Sequence, residues 1–91
     1  MGTLTGKYAI VTGAGKGIGK AIVKRFLDDD IAGVAMIARS KNSLIEVAKE
    51  LDSTGERTLP IRCDVSNRED VKAAVDIILG TFGTVDILVN N

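Results

Sequence analysis

A doubly wound, parallel α/β sheet is the fold class this sequence predicts, on three observations. Short apolar runs alternate with segments of helical periodicity in the order β-α-β-α-β-α-β, and such alternation implies parallel strands joined by right-handed crossovers. The apolar runs lack a polar face, as strands covered on both sides do. A glycine-rich turn joins the first run to the first helical segment.

Each element has its own justification along the chain. Tyr8 to Thr12, apolar from Tyr8 to Val11, reads as the first strand. Ile18, Ala21, Ile22, Phe26 and Leu27 make the apolar face of the first helix. Asp28, Asp29 and Asp30 near its end oppose the helix dipole and read as a solvated loop. Gly33 to Ala38 is the second strand, and Ser40 can cap the helix after it. Leu44, Val47, Ala48 and Leu51 recur at i, i+3, i+4, i+7 in that helix, with Gly55 as its C-terminal glycine. Thr58 to Cys63 is a weaker strand. Its Pro60 lacks an N–H donor, which suits an edge or irregular strand.

Ser66 or Asn67 can cap the third helix, whose first turn carries Glu69 and Asp70 where the dipole favours acids. Val71, Ala74, Val75, Ile78, Leu79 and Phe82 form its apolar face, and Gly83 ends it. Val85 to Val89 reads as a buried fourth strand. The sequence stops two residues later, at Asn91, with only three helices to cover the sheet. The 91 residues are therefore expected to be the N-terminal part of a longer domain.

Composition narrows the function. Lys plus Arg is 12 and Asp plus Glu is 12, so there is no basic excess of the kind a nucleic-acid domain carries. There is no His, which removes imidazole metal sites and His-based catalytic triads; no metal site is expected. The single Cys63 fits a reducing compartment and reads as a small core residue. The polar start, Met1 to Thr5, has no leader pattern. Gly6 stands where an N-myristoylation signal needs Ser or Thr. The apolar run within Val34 to Ala38 is far short of the ~20 residues of a membrane span. The expectation is a cytoplasmic protein with no membrane and no nucleic-acid partner.

The chemistry concentrates in Thr12-Gly13-Ala14-Gly15-Lys16-Gly17-Ile18-Gly19. A phosphate bound at a helix N-terminus needs close approach to backbone N–H groups, and glycine removes the side chains that would obstruct it. The G-x-G-x-x-G pattern fails here, because Ile18 and Lys20 stand where its last glycine would fall. The P-loop pattern fails too: Ala14 replaces its first glycine, and Ala21 stands where Ser or Thr would hold magnesium, which disfavours a GTPase or kinase-like binder. T-G-x-x-x-G-x-G fits, on Thr12, Gly13, Gly17 and Gly19.

With that loop the sequence resembles the short-chain dehydrogenase/reductase family. Asp64-Val65 after the third strand matches the family's adenine-pocket position. Val85 to Asn91, V-D-I-L-V-N-N, matches the strand leading into its N-N-A-G motif. The resemblance implies the N-terminal part of a Rossmann sheet with strand order 3-2-1-4 and a cofactor held by Gly13, Gly15, Lys16, Gly17, Ile18, Gly19, Arg39, Ser40, Asp64, Val65, Asn90 and Asn91. It further implies an Asp64 carboxylate accepting from the adenine amine, Val65 backbone against the ring, and Asn90 and Asn91 on the adenosine side.

The cofactor form follows from the end of the second strand. An NAD enzyme places a carboxylate there for the ribose 2′-OH. Here Ala38 occupies that position and Arg39 follows. A guanidinium binds a 2′-phosphate that a carboxylate would repel, and Lys16 adds a second cation. The pair resembles the NADP-preferring branch of the family, so NADP(H) is the expected cofactor, and Ser40 can donate to the same phosphate.

The family reduces carbonyls or oxidises alcohols using a Tyr, a Lys, a Ser and an Asn that follow N-N-A-G. None of these maps onto this sequence, whose only tyrosine, Tyr8, reads as packing. Catalytic residues here are therefore none. The implied enzyme is an NADP(H)-dependent reductase acting on a 3-oxoacyl thioester, ketone, aldehyde or sugar, a homo-oligomer at full length. The alternative is a dinucleotide-binding fragment or interaction module without catalysis.

Overall fold

The computed structural model describes residues 3–91. The Met1-Gly2 start, read above as part of neither a leader nor an acylation signal, lies outside the described residues. The elements are β1 (Tyr8–Thr12), α1 (Gly17–Asp28), β2 (Gly33–Ala38), α2 (Lys41–Leu51), β3 (Thr58–Arg62), α3 (Arg68–Phe82) and β4 (Ile87–Val89). The four strands form one parallel sheet in the order β3-β2-β1-β4, as expected.

The β2 strand explains the layering. Its residues from Gly33 to Ile37 are all buried, because both of its faces are covered. On one face Val34 and Met36 join Ala9 and Val11 of β1 against Val23 and Leu27 of α1 and Leu44, Val47 and Ala48 of α2. On the other face Ala35 and Ile37 join Cys63 against Ala74 and Ile78 of α3. Two helices therefore cover one side of the sheet and one helix covers the other.

Gly33 allows a close approach at the base of this second face. A Cβ there would come within 2.9 Å of the rings of both Phe82 and Tyr8. Those rings pack on each other with centroids 4.7 Å apart, so Tyr8 is a packing residue as the sequence suggests.

The β3 edge position agrees with Pro60. Cys63 N donates to Ala38 O, and the alternation of the ladder turns the nitrogen of residue 60 toward the open edge, where no donor is needed.

Several local expectations need correction. The buried face of α1 is Gly19, Val23 and Leu27. Ile18 is 71% exposed and Ala21 is also exposed, so these two lie on the solvent side of α1, whereas Ile22 and Phe26 pack partly buried against the core as expected. Asp28 and Asp29 are not a loop: Asp28 is the last residue of α1 and Asp29 its C-cap. Their clash with the dipole is offset by i,i+4 ion pairs to Lys24 and Arg25, at 3.0 and 3.1 Å.

Gly55 is not the terminator of α2. Asp52 is its C-cap, and Gly55, at φ +72°, closes the turn beyond by donating to Asp52 O. Asn67 caps α3, accepting from Asp70 N, whereas Ser66 bonds Asp64. Gly83 is the left-handed cap expected. The β4 strand is only half buried, and Leu88 is 66% exposed; Val75 and Leu79 of α3 are exposed as well, though less so. No helix among the described residues is long and apolar enough to cross a membrane.

Candidate functional site: a cleft at the carboxyl ends of the strands

The glycine loop lies where β1 and β2 deliver their carboxyl ends. Ala14 N donates to Ile37 O at 3.1 Å and ties the loop to the end of β2. Gly13 (φ +62°) and Gly17 (φ +59°) take left-handed backbone that other residues rarely adopt. A Cβ on Gly17 would meet nothing within 4 Å, so that side of the loop is open.

The start of α1 differs from the other two helices. Ser40 caps α2 through Ser43 N at 3.4 Å, and Asn67 caps α3 through Asp70 N at 3.0 Å. Lys16, the N-cap of α1, supplies no side-chain bond. The first N–H groups of α1 thus keep their partial positive charge for an external anion. The loop fits the pyrophosphate group of a dinucleotide on these grounds.

Gly19 has a different task. It is buried, and a Cβ on it would overlap the Gly13 carbonyl, so it lets helix and loop pack. Ile18 projects to solvent at the loop's outer side.

Two adjoining clefts flank this loop. One is lined by Gly13, Gly15, Lys16, Ala38, Arg39, Ser40 and Ser43. Lys16 and Arg39, far apart in sequence, therefore border the same depression. Ser43 was missed in the sequence; it stands three residues past the cap Ser40, and that spacing was the available signal. Its Cβ also limits Gly15, where an added Cβ would lie 3.2 Å away.

The second cleft, of about 390 Å³, is bordered by Thr12, Ile37, Arg39, Asp64, Val65, Ser66 and Asn91 among others. Arg39 borders both. Asp64 Oδ1 accepts from Ser66 Oγ at 2.7 Å and Ser66 N at 3.0 Å, and these bonds hold its pKa below the usual carboxylate value. Val65 stands 57% exposed beside it. Cys63, 2% exposed, lies beneath; burial pushes its thiol pKa up, and Asp70 and Asp64 add to that against Arg62.

Thr12 joins the loop to β4. Its hydroxyl accepts from Asn91 N at 3.0 Å and lies 3.4 Å from Val89 O and from Asn90 Oδ1. Asn91 Nδ2 in turn donates to Gly13 O at 3.4 Å. Asn91 borders the second cleft, whereas Asn90 lines an apolar groove between β4 and α3. Among the described residues no group of three or more His, Cys, Asp or Glu could hold a metal ion.

A family model described as short chain dehydrogenase matches residues 7–91. The chain belongs to the short-chain dehydrogenase family. It is 43% identical over 90 residues to 3beta-hydroxysteroid dehydrogenase 2 of Eggerthella lenta, a match covering 97% of this chain and 34% of that protein. Among solved structures, L-sorbose reductase from Gluconobacter frateurii, complexed with NADPH and L-sorbose, superposes with TM-score 0.90 at 39% identity. That match covers all of this chain and 34% of the reductase. The 3-ketoacyl-(acyl-carrier-protein) reductase from Brucella melitensis, complexed with NADH, gives TM-score 0.86 at 41% identity, over 94% of this chain and 34% of that one. The chain thus spans about a third of the length of the short-chain dehydrogenases it matches.

Proposed function

We propose that this chain is the cofactor-binding, N-terminal part of an NADP(H)-dependent short-chain dehydrogenase that interconverts a carbonyl and an alcohol by hydride transfer. The bound dinucleotide would supply the hydride. The pyrophosphate would lie on the glycine loop and the first turn of α1, taking N–H donors from Gly13 to Gly19. The adenine would enter the cleft at Asp64, Val65 and Asn91, its amine donating to the Asp64 carboxylate. The 2′-phosphate would meet Lys16, Arg39 and Ser40.

One observation carries the cofactor preference. The end of β2 offers Ala38 and Arg39 with no carboxylate, and Lys16 borders the same cleft. Two cations and no acid favour a ribose bearing a phosphate over one bearing a hydroxyl. A relative complexed with NADPH accords with this, and a relative complexed with NADH marks the competing outcome. Candidate substrates are a 3-oxoacyl thioester, a ketone, an aldehyde or a sugar. The protein would work in the cytoplasm, as a homo-oligomer.

Calorimetric titration with NADPH and with NADH tests the proposal. NADPH is expected to bind at least about tenfold more tightly, the equivalent of 1.4 kcal/mol. Equal or NADH-favouring constants would discard the NADP reading, and silence with both would discard the dinucleotide site.

A further inference from the structure

The turn that presents Asp64 and Val65 is held from below by a side chain outside both clefts. Asp70, the third residue of α3, takes the Asp64 backbone N–H on its Oδ2 at 3.1 Å. The same oxygen accepts from Arg62 Nη1 at 2.8 Å. The residue preceding the helix, Asn67, donates its own N–H to Asp64 O at 2.9 Å and caps Asp70 N with its side chain. This departs from the usual capping box, in which the third-residue carboxylate reaches back to the cap residue's own N–H. Here the cap N–H is already spent on Asp64 O, and the carboxylate is redirected to Asp64 N.

Asp64 is therefore fixed at its N–H by Asp70, at its carbonyl by Asn67 and at its Oδ1 by Ser66. With both Ser66 donors on Oδ1, the second carboxylate oxygen is the one left for a ligand donor. We infer that Asp70 is a positioning residue for purine recognition: its carboxylate oxygen, by holding the Asp64 N–H, sets the Asp64 carboxylate at the height where it discriminates a 6-amino purine from a 6-oxo purine. The inference rests on the dinucleotide reading above. The Arg62 pair is partly exposed and contributes little by itself, so the geometry of the acceptor and not its charge is what matters.

The test uses the full chain, NADPH and its deamino analogue, in which hypoxanthine replaces adenine and the exocyclic amine is lost. Wild type is expected to prefer NADPH by at least about tenfold, the effect of one hydrogen bond to a charged acceptor. Asp70→Asn keeps an acceptor oxygen at the same reach and is expected to keep the preference. Asp70→Glu keeps the charge, but its longer arm carries the acceptor oxygen away from the Asp64 N–H, so the preference is expected to fall below about threefold. Asp70→Ala is expected to do the same. Should the alanine variant fail to fold, the Asn and Glu variants, which both keep a hydrogen-bonding side chain in the first turn, carry the test alone.

The reverse order, with preference kept by Glu and lost by Asn, would show that charge alone is at work and overturn the proposal. A parallel loss for both ligands would mark Asp70 as merely structural and also overturn it. Wild type that binds neither ligand would sink the dinucleotide reading instead, and the role of Asp70 with it.

Discussion

The carbonyl oxygen of Gly13 occupies the place where a side chain on Gly19 would begin. The Ala14 Cα lies 3.0 Å from the same point, so the obstruction is backbone on two sides and cannot swing away. This contact sets how closely α1 approaches the end of β1, and hence where its first N–H groups point. Gly19→Ala is expected to destabilise the fold by about 3 kcal/mol, the upper range for overpacking a rigid site. Urea unfolding checks it: the midpoint should drop sharply. A midpoint within error of wild type would mean that the loop can give way.

Alanine at 38 and arginine at 39 carry the selectivity argument, and each can be inverted. Arg39→Ala is expected to weaken NADPH binding by about 1.5–3 kcal/mol, the range for a charge-assisted hydrogen bond, and to leave NADH nearly unchanged. Ala38→Asp, which restores a carboxylate at the end of β2, is expected to reverse the preference toward NADH. Dissociation constants for both cofactors in both variants decide the matter; an NADPH constant unmoved by Arg39→Ala removes that residue from the site.

Most of the architecture was legible because each element carried two agreeing signals. For α2, Ser40 marks the start and Leu44, Val47, Ala48 and Leu51 mark the face, and the helix runs from 41 to 51 as those require. Pro60 told of an edge strand because a missing donor is tolerated only where nothing pairs with it. The misreadings have local causes. In α1 the apolar Ile18 and Ala21 stand on the solvent side, and the buried row runs through Gly19, where a glycine carries no apolar signal, to Val23 and Leu27. The link from Thr12 to Asn91 spans 79 residues, and the bond from Asp64 N to Asp70 depends on the turn closed by Asn67 N and Asp64 O, which folds the loop against the first turn of α3. Neither has a periodic or pairwise trace in one sequence.

Cys63 tests the packing beneath the cleft. It is 2% exposed, and burial, with Asp70 and Asp64 nearby, raises its thiol pKa, so both access and thiolate fraction are low. Alkylation by iodoacetamide at pH 8 is expected to be far slower in the native protein than in urea. Equal rates in the two conditions would mean that the floor of the cleft opens readily.

Asp52 links stability to pH. Burial pushes its carboxyl pKa up, but hydrogen bonds from Arg57 N, from the Thr58 and Thr54 hydroxyls and from Thr58 N outweigh this and hold it below its ordinary 3.8. The bonds to Arg57 N at 2.9 Å and Thr58 N at 3.0 Å hold the start of β3 to the end of α2. A folded value below the unfolded one means that the unfolded chain binds the proton more readily. The stabilisation is therefore fully present above the ordinary carboxylate value and is lost as pH falls through the lower, folded one. Asp52→Asn is expected to cost about 1 kcal/mol at pH 7, the difference between charged and neutral acceptors. That cost should shrink steadily as pH drops below 4, because protonation deprives the wild type of the same charge. Denaturation midpoints of both proteins across pH 2 to 7 give the comparison, and a gap that stays constant over the whole range would show that the carboxylate's charge contributes nothing.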